Sequence, residues 1–278
     1  MVEARLSPLA AARIRPRLSR SLSRARWDEY RTFLLAARRR DYRIVSLESW
    51  VRHPESDSAP TLILRHDVDQ HPRSALAMDK VERDLGVRSS WYFRWRTAHP
   101  TVISTVKSRG GEVGLHYETL TREALKRGMT TGPDQRLIEE CRELLRAEIA
   151  AFARLFGSIR SVVPHGDSRI PAVHNADLLR GEDCADYGIE FDANEAMRGR
   201  GLGNWLTDRS AADGGWKDGI DPLELLASSV SPLLCVSHPN NWSSGPSLWL
   251  DRIVGAVLRS GAAAASRPLR TGSDAPPL

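Results

Sequence analysis

Four times along this chain a short apolar run ends directly in Asp or His side chains and then breaks into loop-forming residues. The first is Thr61-Leu62-Ile63-Leu64 followed by Arg65-His66-Asp67-Val68-Asp69. The others are Glu112-Val113-Gly114-Leu115-His116, Ser161-Val162-Val163-Pro164-His165-Gly166, and Pro232-Leu233-Leu234-Cys235-Val236-Ser237-His238-Pro239. Runs of this length, rich in leucine and β-branched residues, read as short buried strands. Side chains alternate across a strand, so Asp67 and Asp69 point to one side, just past the apolar run. Two carboxylates held together repel unless a cation lies between them or one keeps a proton. A solvated turn with an aspartate capping the next helix is the competing reading of that pair alone. Four strand ends delivering Asp and His groups favour a shared site, because a parallel α/β barrel gathers its functional side chains at the C-terminal ends of its strands.

The remainder of the chain alternates helix and strand signals. Trp27, Tyr30, Phe33, Leu34 and Ala37 recur at helical spacing and predict a helix over residues 24–39. Ala75, Ala77, Met78, Val81 and Leu85 mark a second, stopped by Gly86. Helices are also expected over 101–109, 134–156, 222–228 and 246–259, and strands at Ser89–Phe93, 188–192 and 203–207. This βαβα order predicts an α/β fold with a mostly parallel sheet. With 278 residues, one such domain has a substantial core. Residues 27–260 form it, residues 1–26 being a basic disordered segment and 261–278 a disordered tail.

Composition narrows the function classes. At 41% hydrophobic and 27% charged residues the chain is an ordinary globular one, with no apolar run approaching a membrane span. Cys141, Cys184 and Cys235 are odd in number and match no zinc-ligand spacing, which suits reduced thiols in a reducing, cytoplasmic compartment. The net charge of +5 resides in the first 26 residues, which hold seven arginines against one acid and leave the rest near −1. A basic head can contact nucleic acid or anionic lipid, or resemble a transit peptide. Only Lys80, Lys107, Lys126 and Lys217 break the otherwise exclusive use of arginine, which fits coding bias better than a nucleic-acid site, and no nucleic-acid partner is expected.

Residues 62–93, with His66-Asp67-Val68-Asp69, Ala75, Ala77, Glu82, Gly86 and Ser90-Trp91-Tyr92-Phe93, resemble the first half of the polysaccharide deacetylase family, in its HDVD-containing branch. Glu112–Glu118 is similar to the family's second motif and Cys235-Val236-Ser237-His238-Pro239 to its last, and the stretches Tyr187–Ala193 and Asp208–Trp216 are also familiar from that branch. The likeness covers roughly residues 27–259. It implies a distorted (β/α) barrel of mostly parallel strands that uses a divalent metal to hydrolyse acetyl groups from sugars.

The usual first motif has two adjacent aspartates, a base and then a metal ligand, and the ungapped register here puts Val68 in the ligand's place. Asp67 is therefore assigned as the base and Asp69 as the ligand, with the exchange of roles left open. The second motif normally supplies two histidines four residues apart, whereas His116 is followed at that spacing by Leu120. The third ligand is expected to be His165, with Glu118 and His71 in reserve. Two imidazoles and a carboxylate suit Zn²⁺, or Co²⁺ or another first-row ion.

His238 is the expected proton donor to the leaving group. Arg169 and Asp208 are candidates to orient Asp67 or His238, and Glu118 to contact substrate. Trp205, Trp216 and Trp242 are candidate sugar-stacking faces, with core packing as the alternative. The expected activity is hydrolysis of a non-peptide C–N bond, removal of an N-acetyl group from a sugar or glycoconjugate. The missing second-motif histidine keeps open a catalytically degenerate barrel that binds a glycan or partner.

Overall fold

The computed structural model describes residues 24–53, 59–208 and 215–249. The basic head up to residue 23 and the tail from Gly261 lie outside them. The helix expected at 246–259 is helical over 245–249, its remainder lying outside the described residues.

Eight strands carry the fold: β1 (Arg43–Ser46), β2 (Thr61–Val68), β3 (Ser90–Phe93), β4 (Glu112–Tyr117), β5 (Ser161–Pro164), β6 (Phe191–Asp192), β7 (Trp205–Thr207) and β8 (Leu233–Ser237). Every ladder is parallel, in the order β6-β5-β4-β3-β2-β8-β7. Among the described residues β6 does not pair with β7, so the curled sheet is a distorted (β/α) barrel with an open seam there. β2 is the central strand. One edge pairs with β8, while the other pairs first with β1 through Thr61–Leu64 and then with β3 through Arg65–Val68.

Strand periodicity sorts the side chains. Leu62, Leu64, Val68, Val113, Leu115, Val162, Leu233 and Cys235 face outward into the main core. The helices that cover them are α1 (Trp27–Arg38), α3 (Arg73–Asp84), α4 (Pro100–Ser108) and α6 (Gln135–Phe156). In α1, Tyr30, Phe33, Leu34 and Ala37 are buried at i, i+3, i+4 and i+7, a stripe one helix face wide. Ile63, Tyr92, Val163, Leu234 and Val236 face inward and meet Leu47 and Trp50 of the short helix α2 (Leu47–Arg52), which plugs the lumen. Ala193, which opens α7 (Ala193–Gly199), joins them.

The lumen floor is polar as well. Glu112 accepts from the hydroxyls of Ser46 and Ser90 and from the backbone N–H of Glu48, which stitches the point where β1 yields to β3 beside β2. Glu48 accepts from Ser161, whose hydroxyl is 2.8 Å from that of Tyr92. Burial and the neighbouring Glu112 charge push the Glu48 carboxyl up to about 7, against a smaller lowering by the Ser161 hydrogen bond.

β1, α2 and the helix α5 (Thr119–Lys126) were not anticipated from sequence. They are short, four to eight residues, and have too few turns for a periodic signal. The strand expected at 188–192 is two residues long, because Gly188 takes a left-handed conformation and ends a 3₁₀ turn there.

Candidate functional site

β2 continues through the polar residues to Val68, four positions beyond its apolar run. Asp67 thus lies inside the strand, and Asp69 follows its end. Val68 between them faces outward and is fully buried in the main core, so it has no access to the lumen. Asp67, Asp69, His116 of β4, His165 after β5 and His238 after β8 all line one cavity of about 680 Å³ at the C-terminal ends of the strands.

At its centre is Asp69. Its Oδ1 is 3.3 Å from His116 Nε2 and 3.5 Å from His165 Nε2, and its Oδ2 is 3.8 Å from His238 Nε2. Asp69, His116 and His165 offer ligand atoms all within 4.8 Å of one another. Two donors each 2.0–2.1 Å from a tetrahedral ion stand about 3.3 Å apart, so the two Asp69–His separations have the span that one ion needs. Asp69 Oδ1 is buried and makes no hydrogen bond to any described residue. That is costly for a carboxylate oxygen without a cation. His116 Nδ1 lies 3.1 Å from the Val163 carbonyl, which can only accept. The proton is therefore on Nδ1 and the Nε2 lone pair faces Asp69, the tautomer a metal ligand requires. Burial alone would raise the Asp69 pKa. The imidazoles of His116, His165 and His238 crowded around the carboxylate outweigh it and hold the group well below the carboxylate range.

Asp67 has a different environment. Arg65, two residues earlier on the same strand face, grips it through Nε and Nη2 at 2.8 and 2.7 Å. The third guanidinium nitrogen donates to Asn194 Oδ1 at 2.8 Å, and the Asn194 backbone is held by Asp192. Burial raises the Asp67 pKa, but the charge and hydrogen bonds of Arg65 lower it by more, so Asp67 stays ionised. His116 Nε2 is 3.7 Å from its Oδ2.

On the opposite side, His238 Nδ1 donates to Asp208 Oδ1 at 2.7 Å, and Asp208 Oδ2 accepts from the His238 backbone N–H and from Trp242 Nε1 at 2.8 and 2.7 Å. Burial would lower the His238 pKa. The Asp208 hydrogen bond and charge, followed by the charges of Asp67 and Asp69, raise it to about 9. The imidazole Nε2 is left facing the cavity.

Other expected residues stand elsewhere. Arg169 orients neither Asp67 nor His238; it is largely exposed and paired with Asp167 two residues away. Arg65 makes the contact expected of it. Glu118 is paired with Arg94 and is not one of the converging groups. His71 lies in the turn after β2 with a left-handed φ of 49° and is also outside that group. His66, on the outward face, is fully buried with Nε2 2.6 Å from Glu82. Trp216 and Trp242 are core residues packed on each other and on Phe33 and Tyr30; Trp205 alone of the three is exposed, at 63%.

Sequence reading assigned no positioning role to Arg65 or Asn194 and did not tie Trp242 to Asp208. Arg65 was detectable, since i−2 on a strand shares a face, had the strand been carried into its polar end. Asn194 and Trp242 reach the site only through tertiary folding.

No protein-family model and no curated protein matches the chain. Solved structures do resemble it. A carbohydrate esterase family 4 pseudoenzyme from Bacillus anthracis is 12% identical over 72% of this chain and 61% of its own, with a TM-score of 0.40. A family 4 carbohydrate esterase from Streptomyces lividans, in complex with acetate, is 14% identical over 70% of this chain and 89% of its own, with a TM-score of 0.38. A peptidoglycan N-acetylglucosamine deacetylase is likewise 14% identical, over 77% and 91% of the two chains, with a TM-score of 0.38. This chain spans 61–63% of the length of the pseudoenzyme structures it matches.

Proposed function

We propose that the chain is a divalent-metal-dependent hydrolase that removes an acetyl group, N-linked in the first instance, from a sugar or polysaccharide precursor. The observation that carries this reading is the convergence of Asp69, His116 and His165 between two separately held proton-transfer groups, Asp67 and His238. The donor set fits a first-row divalent ion, Zn²⁺ or Co²⁺, and the unpartnered Asp69 Oδ1 is the atom such an ion satisfies. When bound, that ion supplies Lewis acidity toward the acyl oxygen and a lowered pKa for water.

The side chains do the remainder. Asp67, clamped and kept ionised by Arg65, accepts the proton of the attacking water. Arg65 fixes the carboxylate in one orientation, so no rotamer search is needed at the moment of transfer. Asp208 holds His238 with Nδ1 protonated and Nε2 toward the cavity, and its charge favours the imidazolium. His238 then donates from Nε2 to the departing amine as the acyl C–N bond breaks, leaving acetate and a protonated leaving group. The three cysteines form no disulfide, which supports a reducing, cytoplasmic setting for this chemistry. No helix among the described residues is long and apolar enough to cross a membrane.

The test combines metal analysis with acetate release from N-acetylated oligosaccharides. Purified protein should hold close to one ion per chain, chelation should abolish acetate release, and added Zn²⁺ or Co²⁺ should restore it. Full activity in metal-free protein overturns the proposal. Tight metal with no acetate from any acetylated sugar leaves a glycan-binding barrel.

A further inference from the structure

One wall of the cavity is built for something other than the reacting group. β7 is an edge strand at the open seam, and its alternation sends Leu206 into the core while Trp205 and Thr207 face the lumen. Trp205 is 63% exposed although it lines a concave site, beside Met197 and Leu202. An indole left largely bare on the wall of a cavity is surface available to a ligand.

Lys217 stands over it, its ammonium 6.0 Å from the ring centroid. The other cationic side chains lining this cavity are already matched, Arg65 by Asp67 and Arg198 by Glu195. Lys217 has no carboxylate partner among the described residues. Its position is set from both sides. Trp216 before it is a buried core residue in an antiparallel bridge with Asp208, and Asp218 and Gly219 after it both take left-handed conformations.

From this pairing of a bare aromatic face with an ammonium that has no carboxylate partner among the described residues, we infer that the sugar taken by this site carries an anionic substituent, a carboxylate or a phosphate. The pyranose ring lies on Trp205 and the anion pairs with Lys217, while the acetyl group is presented to Asp67 and His238. A neutral acetylated sugar keeps the stacking contact and lacks the ion pair. The inference rests on the deacetylase reading for the acetyl group alone; the anion preference is a property of binding.

The experiment uses zinc-loaded, full-length Asp67→Asn protein, so that binding is read without turnover. Calorimetry compares N-acetylglucosamine, N-acetylmuramic acid and N-acetylglucosamine 1-phosphate, and the two charged probes distinguish carboxylate from phosphate. At least one charged probe should bind about tenfold more tightly than the neutral sugar, as a charge-assisted contact predicts. The preference should shrink at high salt. It should vanish in Lys217→Met and survive in Lys217→Arg, whereas Trp205→Ala should weaken all three probes alike. Equal affinity for neutral and charged sugars, a preference retained in Lys217→Met, or no binding of either charged probe at millimolar concentration overturns the inference. Acetate release by the parent protein is measured in parallel. Lys217-dependent binding of a charged probe without acetate release sustains the anion site and defeats the deacetylase reading. Equal release from neutral and charged sugars, unchanged in Lys217→Met, does the reverse.

Discussion

Asp67 and Asp69 line the same cavity two residues apart, yet their surroundings assign them different work. Asp67 spends two hydrogen-bond sites on Arg65, whereas Asp69 has imidazole nitrogens at 3.3 and 3.5 Å and no hydrogen bond on its Oδ1. The difference predicts opposite phenotypes. Ala at Asp69, His116 or His165 should weaken metal binding by about 100-fold or more, because each removes one of few ligands. Asp67→Asn and His238→Ala should keep the metal but lower turnover by roughly 10²–10⁴-fold, the usual contribution of a positioned proton-transfer group. Metal content by emission spectrometry and initial rates of acetate release separate the two classes. Unchanged metal affinity in His165→Ala would mean that a different group completes the set, and metal loss in Asp67→Asn would exchange the two aspartates.

At the scale of the element, β4 shows how a strand without a long side chain can position one that has it. Gly114 faces the lumen two residues before His116, and Tyr92 of β3 lies across it to reach Ser161. A Cβ at 114 would sit 2.6 Å from Tyr92 Cε1 and closer still to the Ser161 carbonyl oxygen, which is backbone and cannot swing aside. Gly114→Ala should therefore cost about 1–3 kcal/mol through overpacking. It should also push β4 from β5, separating His116 from His165. Urea denaturation reads the first effect and zinc affinity the second. A variant with parental stability would show that the lumen is looser than these contacts imply.

The whole molecule joins an acidic floor at one end of the barrel to the candidate site at the other. Glu48 is held near 7 in the folded state against 4.5 in an ordinary environment. Below pH 4.5 the group is neutral folded or unfolded and makes no difference. Between about 4.5 and 7 the unfolded chain ionises while the folded one retains its proton, so stability falls as pH rises, and above 7 the loss is complete. The shift corresponds to about 3 kcal/mol at most. Glu48→Gln, which keeps an acceptor for Ser161, should leave stability nearly unchanged at pH 4.5 and raise it by about 2–3 kcal/mol at pH 8. Denaturation midpoints at the two pH values check the sign; equal effects at both would mean that Glu48 titrates normally.

What the sequence determined by itself is periodic or local. The outward stripe of α1, the alternation of β2, β4 and β8, and the Asp and His residues at four strand ends are all set by residue spacing, because a strand repeats every two residues and a helix every 3.6. From these follow a parallel α/β barrel and the Asp and His side chains that converge in its cavity. The tertiary structure decided which of those residues meet. Arg65 rather than Arg169 holds Asp67 because β2 stays extended through its polar end, and burial with a bidentate carboxylate partner favours that conformation. Trp242 and Trp216 entered the core and Trp205 did not, although the three indoles are chemically identical. Their burial depends on the packing of α1 and on the edge of β7 that stays unpaired among the described residues, neither of which is encoded within a few residues of any one tryptophan. Spacing along the chain fixes direction within an element; convergence of ligand atoms to within a few ångströms depends on how separate elements pack.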